Sequence, residues 1–178
     1  MTGPTLHPPP VASTDTSSFV WQEWFRILYL KVKENMWNFI QLSSDSVVSS
    51  TSFTNVSGMS FNGDANTTYM VKLVGAYQTA ASTTGMWVAL DIPSGSVIGI
   101  ETTTPSVATI GGTGQNADNS NMGSPSTTLA SVNLPIHAEW VIKIGATGGT
   151  VQLTQRSTVA ASNTTLKANL SVLSYKQI

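Results

Sequence analysis

Residues 68 to 93 carry the pattern that most restricts the fold of this chain. Alternate positions are apolar from Tyr69 to Tyr77 and again from Met86 to Ile92, which is the period-2 pattern of β-strands. Small polar residues fill the segment from Gln78 to Gly85, and Pro93 ends the second apolar run. The stretch therefore predicts two strands joined by a Ser/Thr/Ala loop.

From Ser43 onward no helical period is present, and the chain alternates between short apolar runs and turn-forming residues. Short strands at this spacing are typical of an antiparallel β-sandwich or jelly roll of about eight strands. Gly148 and Gly149 predict a tight hairpin turn, because both residues can adopt a positive φ. The predicted strands lie roughly at 47–56, 59–61, 69–77, 86–92, 96–103, 127–132, 135–144, 150–156 and 166–175.

Residues 19–42 predict the only helix, which is amphipathic, and in it the apolar residues recur at alternating steps of four and three. This is a heptad seam, with Asn35 as its one polar member. Two interpretations stay open: a helix packed on its own domain, or a helix that trimerises or docks into a larger assembly. Its aromatic content favours the second, because Trp and Phe are anchor residues at interfaces. The seam consists of Trp21, Phe25, Leu28, Val32, Asn35, Phe39 and Leu42, and Trp24 widens its apolar face.

The chain divides into three parts. Residues 1–18 form an extended arm rich in Pro, Ser and Thr, in which Pro8, Pro9 and Pro10 favour the polyproline conformation. We expect this arm to become ordered only on a partner. Residues 19–42 form the predicted helix, and residues 43–178 form the β-sandwich.

Charge and composition exclude several classes of partner. Charged residues make up 10% of the chain, against about 25% in an average globular protein. The net charge of −1 leaves no basic field for nucleic acid or anionic lipid. There is no cysteine, no apolar run approaches a membrane span, and the N-terminus lacks the features of a signal peptide. A surface with so little charge favours contact with copies of the same chain, because long-range repulsion is weak.

The titratable residues predict no enzyme, no metal and no cofactor. His137 and Glu139 share one face of a predicted strand, but they supply two ligands where a zinc site needs three or four. We therefore interpret them as a solvent or interface pair. Asp64 and Asp91 are not brought to a separation that glycoside hydrolysis requires.

Two features of the β region are candidates for ligand binding. Trp87 and Tyr77 stack on a sugar ring if they are exposed and fill the core if they are buried, and large aromatic residues are more often buried. Residues 104–126 form a polar loop, and loops of that length are usually functional or disordered. Its candidate receptor-contact residues are Thr113, Gln115, Asn116, Asp118, Asn119 and Asn121.

Several motifs resemble a domain found in structural proteins of tailed bacteriophages. Residues 51–93 carry its opening, its central Ala-Asn-x-x-Tyr and its Thr-Thr-Gly loop, and the helix resembles the Trp/Phe helix that precedes this domain in small podovirus proteins. The resemblance spans residues 19–178, apart from the loop at 104–126. Its residues are Val56, Gly58, Met59, Phe61, Ala65, Asn66, Tyr69, Tyr77, Ala80, Ala81, Thr83, Thr84, Gly85 and Pro93.

This resemblance implies a jelly roll similar to tumour-necrosis-factor-like trimers, in a homotrimeric fibre, appendage or decoration protein of the virion. The arm and helix would attach it to capsid, portal, neck or tail proteins, after assembly in the bacterial cytoplasm, and the β domain would project outward. An alternative is a module on a tail or neck fibre that binds a bacterial surface glycan through the loop at 104–126. A third possibility, an enzyme acting on polysaccharide, lacks an acid/base pair.

Overall fold

The computed structural model describes residues 19–103, 122–124, 126–127 and 129–178, and the predicted arm at residues 1–18 lies outside them. Within these ranges the chain forms one helix and eleven strands. The helix α1 spans Phe19–Asn35. The strands are β1 (Asn38–Gln41), β2 (Ser46–Val48), β3 (Thr54–Gly63), β4 (Thr68–Thr79), β5 (Met86–Asp91), β6 (Gly95–Thr103), β7 (Met122–Ser124), β8 (Leu134–Ile144), β9 (Gly149–Ser157), β10 (Thr164–Leu166) and β11 (Val172–Gln177).

Strand β4 is the centre of the first sheet, because it pairs with β8 on one side and with β11 and β10 on the other. Farther out, β6 pairs with β8, β1 with β11 and β2 with β10. The second sheet has the order β3-β9-β5-β7. All of these pairs are antiparallel.

Successive parts of the chain alternate between the two sheets. Strands β10 and β11 pair end to end with the same side of β4, so they form one interrupted strand. Strands β2 and β1 pair with β10 and β11 in turn and form a second interrupted strand. Counted in this way, the chain crosses from one sheet to the other at every step from β2 to β10. This is a jelly roll, with β6 as an additional edge strand of the first sheet. The predicted fold class is therefore confirmed.

The period-2 pattern of the sequence matches the burial of side chains. In β4, Tyr69, Val71 and Leu73 are buried, whereas Val74 on the opposite face is exposed. Strand β8 repeats the alternation, and its inner residues are Ile136, Ala138, Trp140, Ile142 and Ile144. The inner faces of both sheets meet in one apolar core, to which Val88 and Leu90 of β5 contribute from the second sheet.

The helix is shorter than predicted. It ends at Asn35, and Phe39, which was assigned to the heptad seam, lies in β1. The pairing of β1 with β11 explains the difference, because the sheet satisfies the backbone of Asn38–Gln41. Leu42, the last seam position, is buried in the core, and its N–H donates to the Ser171 carbonyl at 2.9 Å. Tertiary pairing has overridden the helical pattern at this point.

Four strand predictions also differ from the structure. The predicted strands 47–56 and 59–61 are divided differently, because β3 continues through Gly58, which has a φ of 78°. The predicted strand at 166–175 is interrupted between β10 and β11. The described residues of 127–132 form no strand, whereas β7 lies inside the segment that was predicted to be a loop.

The turn at Gly148 and Gly149 joins the two sheets and is not a hairpin turn. It connects β8 of the first sheet to β9 of the second. Gly148 packs closely, since a Cβ there would lie 2.8 Å from the Gly63 carbonyl oxygen. The predicted hairpin is therefore wrong, and of the two glycines only Gly149 has a positive φ, of 156°.

Asp45 lies between β1 and β2 and contacts the segment between β10 and β11. Its carboxylate pairs with the Lys167 ammonium and accepts a hydrogen bond from the Ala168 N–H at 2.7 Å. These contacts lower the pKa of Asp45, and the hydrogen bond from Lys167 contributes most. A lowered folded-state pKa gives stability that is present above the ordinary value of 3.8 and is lost as the pH falls through the folded-state value.

We expect Asp45→Asn to lose this part of the pH dependence of stability. Urea unfolding midpoints at neutral pH and below the ordinary aspartate pKa provide the measurement. The wild-type midpoint should fall more steeply with acidification than that of the variant. Equal slopes in the two proteins would contradict a stabilising role of the ionised carboxylate.

Gly95 and Gly58 form a natural comparison for backbone strain. Both have a positive φ, but a Cβ at Gly58 would meet nothing within 4 Å, whereas one at Gly95 would lie 1.8 Å from the Lys143 carbonyl oxygen. We expect Gly58→Ala to lower the free energy of unfolding by about 1–2 kcal/mol, the cost of a left-handed residue. Gly95→Ala should cost clearly more, as measured by chemical unfolding, and equal losses would show that the backbone at Gly95 relaxes freely.

Candidate interaction surfaces

Helix α1 leaves its apolar side only partly covered by the rest of the described chain. No side chain from Trp21 to Val32 is buried, and Phe25 and Tyr29 are 57% and 64% exposed. The helix makes its main contact with β11. Of the predicted seam, Trp21, Phe25, Leu28 and Val32 lie on the helix, and Asn35 is its last residue. Phe25 and Val32 of the seam are therefore exposed in one chain, and Trp21 and Leu28 are half-buried.

Aromatic rings cluster in the first turns of α1. The ring centroids of Trp21, Trp24 and Phe25 lie between 5.2 and 6.1 Å apart. On the same part of the helix, the Arg26 guanidinium donates two hydrogen bonds, of 2.6 and 2.8 Å, to the Glu23 carboxylate. The hydrogen bond from Arg26 lowers the pKa of Glu23. These two charges compensate each other and leave the apolar surface nearly neutral.

Trp37 fixes the end of the helix to the first sheet. The ammonium groups of Lys72 and Lys176 lie 5.3 and 5.4 Å from the centroid of its ring, which is within the range of a cation–π contact. Sequence analysis did not single out this tryptophan. The sequence pattern placed it inside the helix predicted at residues 19–42, so its contact with the sheet had no local signal.

Beside Trp37, a groove of about 610 Å³ separates the second half of α1 from one end of the sandwich. Tyr175 lines the groove, and its ring stacks on that of Phe61 with centroids 3.8 Å apart and an interplanar angle of 6°. The hydroxyl of Tyr69 accepts a hydrogen bond from the Asp64 N–H at 3.0 Å. We call this feature the helix–sheet groove, and its lining residues are Tyr29, Leu30, Val32, Met36, Trp37, Asn38, Asn62, Asp64, Tyr69, Tyr175 and Gln177.

The outer face of the first sheet mixes apolar and charged residues. Phe39 is 71% exposed, and Val74 and Ile98 are also exposed on this face. The Glu139 carboxylate pairs with the Lys72 ammonium directly across from it on β4. Among the described residues no three His, Cys, Asp or Glu side chains lie close enough to bind a metal. The pair of His137 and Glu139 is therefore part of a mixed surface on which Glu139 already has a partner.

The outer face of the second sheet carries an aromatic–arginine cluster. The guanidinium carbon of Arg156 lies 5.0 Å from the Phe53 ring centroid and 6.0 Å from that of Trp87, and its Nη1 donates to the Thr51 carbonyl at 3.1 Å. Trp87 is half-buried and pairs with Arg156 on β9 and with Gly123 on β7. Because glycine has no side chain, the β7 side of the indole has no cross-strand cover from its direct partner.

The other candidate aromatic residue, Tyr77, is fully buried. Burial raises its pKa to about 12, because the phenolate would lose its hydration. It therefore belongs to the core, as the sequence favoured. The receptor-contact candidates of the long loop, Thr113, Gln115, Asn116, Asp118, Asn119 and Asn121, lie outside the described residues.

Comparisons with known proteins give a distant structural likeness only. No family model matches the chain. No curated protein sequence matches it either. Its fold is similar to that of "infectious bursal disease virus VP2 subviral particle", with 10% identity, a TM-score of 0.26 and coverage of 79% of this chain and 37% of that chain. The Gt strain of the same virus gives 13% identity, a TM-score of 0.25 and coverage of 80% and 38%.

The chain thus spans little more than a third of the length of these viral proteins. At such TM-scores the likeness carries no functional argument, and the jelly-roll assignment rests on the strand order itself. Separately, no helix among the described residues is long and apolar enough to cross a membrane.

Proposed function

We propose that this chain is a structural protein of a virus particle, in which three copies associate through their N-terminal helices. The jelly roll supplies a rigid block with few charges, and the helix supplies the contact. The motifs shared with structural proteins of tailed bacteriophages support a homotrimeric fibre, appendage or decoration protein, attached by its N-terminal part to capsid, neck or tail proteins.

The partly uncovered apolar side of α1 is the observation that carries this proposal. A helix of 17 residues is about 25 Å long and is marginal when isolated in water, so its stability depends on burial of an apolar face. The chain's own sandwich leaves Phe25 and Val32 exposed. Three helices around a common axis bury the same seam from each copy, as in a trimeric coiled coil.

Charge supports association with copies of this chain over a charged partner. The two charged side chains beside the aromatic turns, Glu23 and Arg26, pair with each other. The net charge of the whole chain is −1. Identical copies therefore meet with little electrostatic repulsion.

The mass of the full chain in solution tests the proposal directly. Light scattering behind size-exclusion chromatography should give three times the 18.8 kDa of one chain. A mass of 18.8 kDa over the whole concentration range would contradict self-association. Labelled chain added during particle assembly would then show whether the helix docks on another virion protein instead.

The aromatic–arginine cluster favours a second candidate function, the binding of a bacterial surface glycan. Trp87 presents a half-buried ring beside an arginine, and its partner strand β7 lies inside the polar segment 104–126 that was predicted to contact a receptor. An aromatic platform next to a planar cation is suited to a sugar ring with hydroxyl or carboxylate groups.

We expect Trp87→Ala to weaken adsorption of particles to host cells by roughly 30-fold, because an aromatic anchor in an interface contributes about 2 kcal/mol. Val74→Ala, an exposed position on the other sheet, is the matched control. Binding of both variants to isolated host polysaccharide should show the same difference. Equal adsorption of the two variants would remove this candidate function.

A further inference from the structure

We propose that the helix–sheet groove is the docking site for the chain's own proline segment, residues 5–12. This assignment goes beyond the virion role and does not depend on it. It concerns a contact within one chain, between a sequence that precedes α1 and a groove at the other end of α1.

The lining of the groove fits a proline-rich occupant. The rings of Tyr29, Trp37 and Tyr175 border it, and Met36 adds a flexible apolar side chain. Grooves lined by aromatic rings recognise proline-rich segments, because the polyproline helix is preformed and loses little entropy on binding. Residues 5–12 have the sequence TLHPPPVA, with three consecutive prolines and no acidic residue.

Hydrogen-bond donors are available beside these rings. The side-chain amides of Asn38, Asn62 and Gln177 lie at the groove and are exposed. None of the three donates a hydrogen bond to another described residue, so all can donate to a ligand. A polyproline segment has no internal hydrogen bonds, and its carbonyl oxygens need such donors. The groove thus combines flat apolar rings with free amide donors.

The covalent connection allows the contact to form within one chain. From Phe19 to Val32 the helix rises about 20 Å, at 1.5 Å per residue. The chain from Pro10 to Phe19 spans up to about 30 Å when extended. The proline segment can therefore reach back along α1 to the groove. A short covalent connection between a segment and its site gives an effective concentration in the millimolar range, so a weak intrinsic affinity is sufficient.

Site-specific cross-linking of the full chain tests this assignment. The chain has no cysteine, so Leu6→Cys gives one attachment point for a benzophenone photo-cross-linker. Mass spectrometry should locate the cross-links in residues 29–38, 62–64 and 175–177. Cross-links spread evenly over the surface, or concentrated on the second sheet, would overturn the proposal. In a mixture of ¹⁴N and ¹⁵N chains, cross-links of mixed mass at the groove would overturn its intramolecular form.

Matched variants distinguish proline recognition from random contact. Pro8→Gly, Pro9→Gly and Pro10→Gly together should reduce the yield of groove cross-links at least fivefold. The control, Ser13→Gly with Thr14→Gly and Thr16→Gly, adds the same number of glycines to the connection and should retain the yield. An unchanged yield in the proline variant would contradict the proposal, and thermal unfolding verifies that all variants keep a folded sandwich.

A second pair of variants tests the groove itself. Tyr29→Ala removes an exposed ring that lines the groove, whereas Phe25→Ala removes an exposed ring one turn earlier that does not line it. The yield of groove cross-links should fall in the first and persist in the second. Phe25 belongs to the proposed trimer contact and Tyr29 does not. Phe25→Ala therefore affects the trimer and Tyr29→Ala affects docking in the groove, so failure of one proposal can be distinguished from failure of the other. Equal yields in the two variants would contradict docking in this groove.

Discussion

Replacing Trp140 by alanine is expected to lower the free energy of unfolding by about 3–5 kcal/mol, the largest effect of any single core substitution in this chain. Trp140 lies at the middle of β8, is fully buried and pairs across the sheet with Val71 and Gly99. It is the largest fully buried side chain, so its removal leaves the largest cavity. Urea unfolding followed by far-UV circular dichroism measures the loss.

Trp140→Phe is the informative control. The indole Nε1 of Trp140 is buried and has no hydrogen-bond partner among the described residues. An unpaired buried donor costs about 1–3 kcal/mol, so phenylalanine removes this cost while it retains much of the ring volume. We expect Trp140→Phe to lose much less stability than Trp140→Ala. Losses of similar size in the two variants would indicate that the indole N–H is satisfied in solution, for example by a buried water molecule.

The strand faces were predictable from the sequence because side-chain alternation is a local property. Tyr69, Val71 and Leu73 are buried and Val74 is exposed, as the period-2 pattern indicates. The pairing of strands is not local. Phe39 and Leu42 continue the helical pattern, but β11, more than a hundred residues later, draws this segment into a sheet. Sequence periodicity alone contains no information about that partner.

The candidate sites likewise include one that is local in the sequence and one that depends on strand pairing. The helical placement of the seam from Trp21 to Asn35 could be predicted, because these residues lie within a few turns of one another. The aromatic–arginine cluster could not be predicted, since Phe53, Trp87 and Arg156 come from three separate parts of the chain. The one available signal was composition, because Arg156 is one of only two arginines. Its position between two rings follows from the pairing of β5 with β9.

Changing the seam of α1 should convert the proposed trimer to a monomer without unfolding the sandwich. Phe25→Ser combined with Leu28→Ser removes two apolar side chains that do not line the helix–sheet groove. Full burial of an exposed side chain of this kind contributes about 1.5–3 kcal/mol. Because both side chains are already partly covered in one chain, on the order of 3 kcal/mol per chain is lost from the assembly. Light scattering should therefore give the mass of one chain, 18.8 kDa.

The matched control is Gln22→Ser combined with Arg26→Ser, two exposed polar positions in the same turns. These substitutions carry a similar helix-propensity cost and remove only the exposed ion pair with Glu23, which contributes little. The control should stay trimeric, and both variants should keep the thermal midpoint of the sandwich, because α1 contributes no buried side chain from Trp21 to Val32. A seam variant that remains trimeric would place the association in the jelly roll, where the exposed Phe39 and Val74 of the first sheet become the next surface to change.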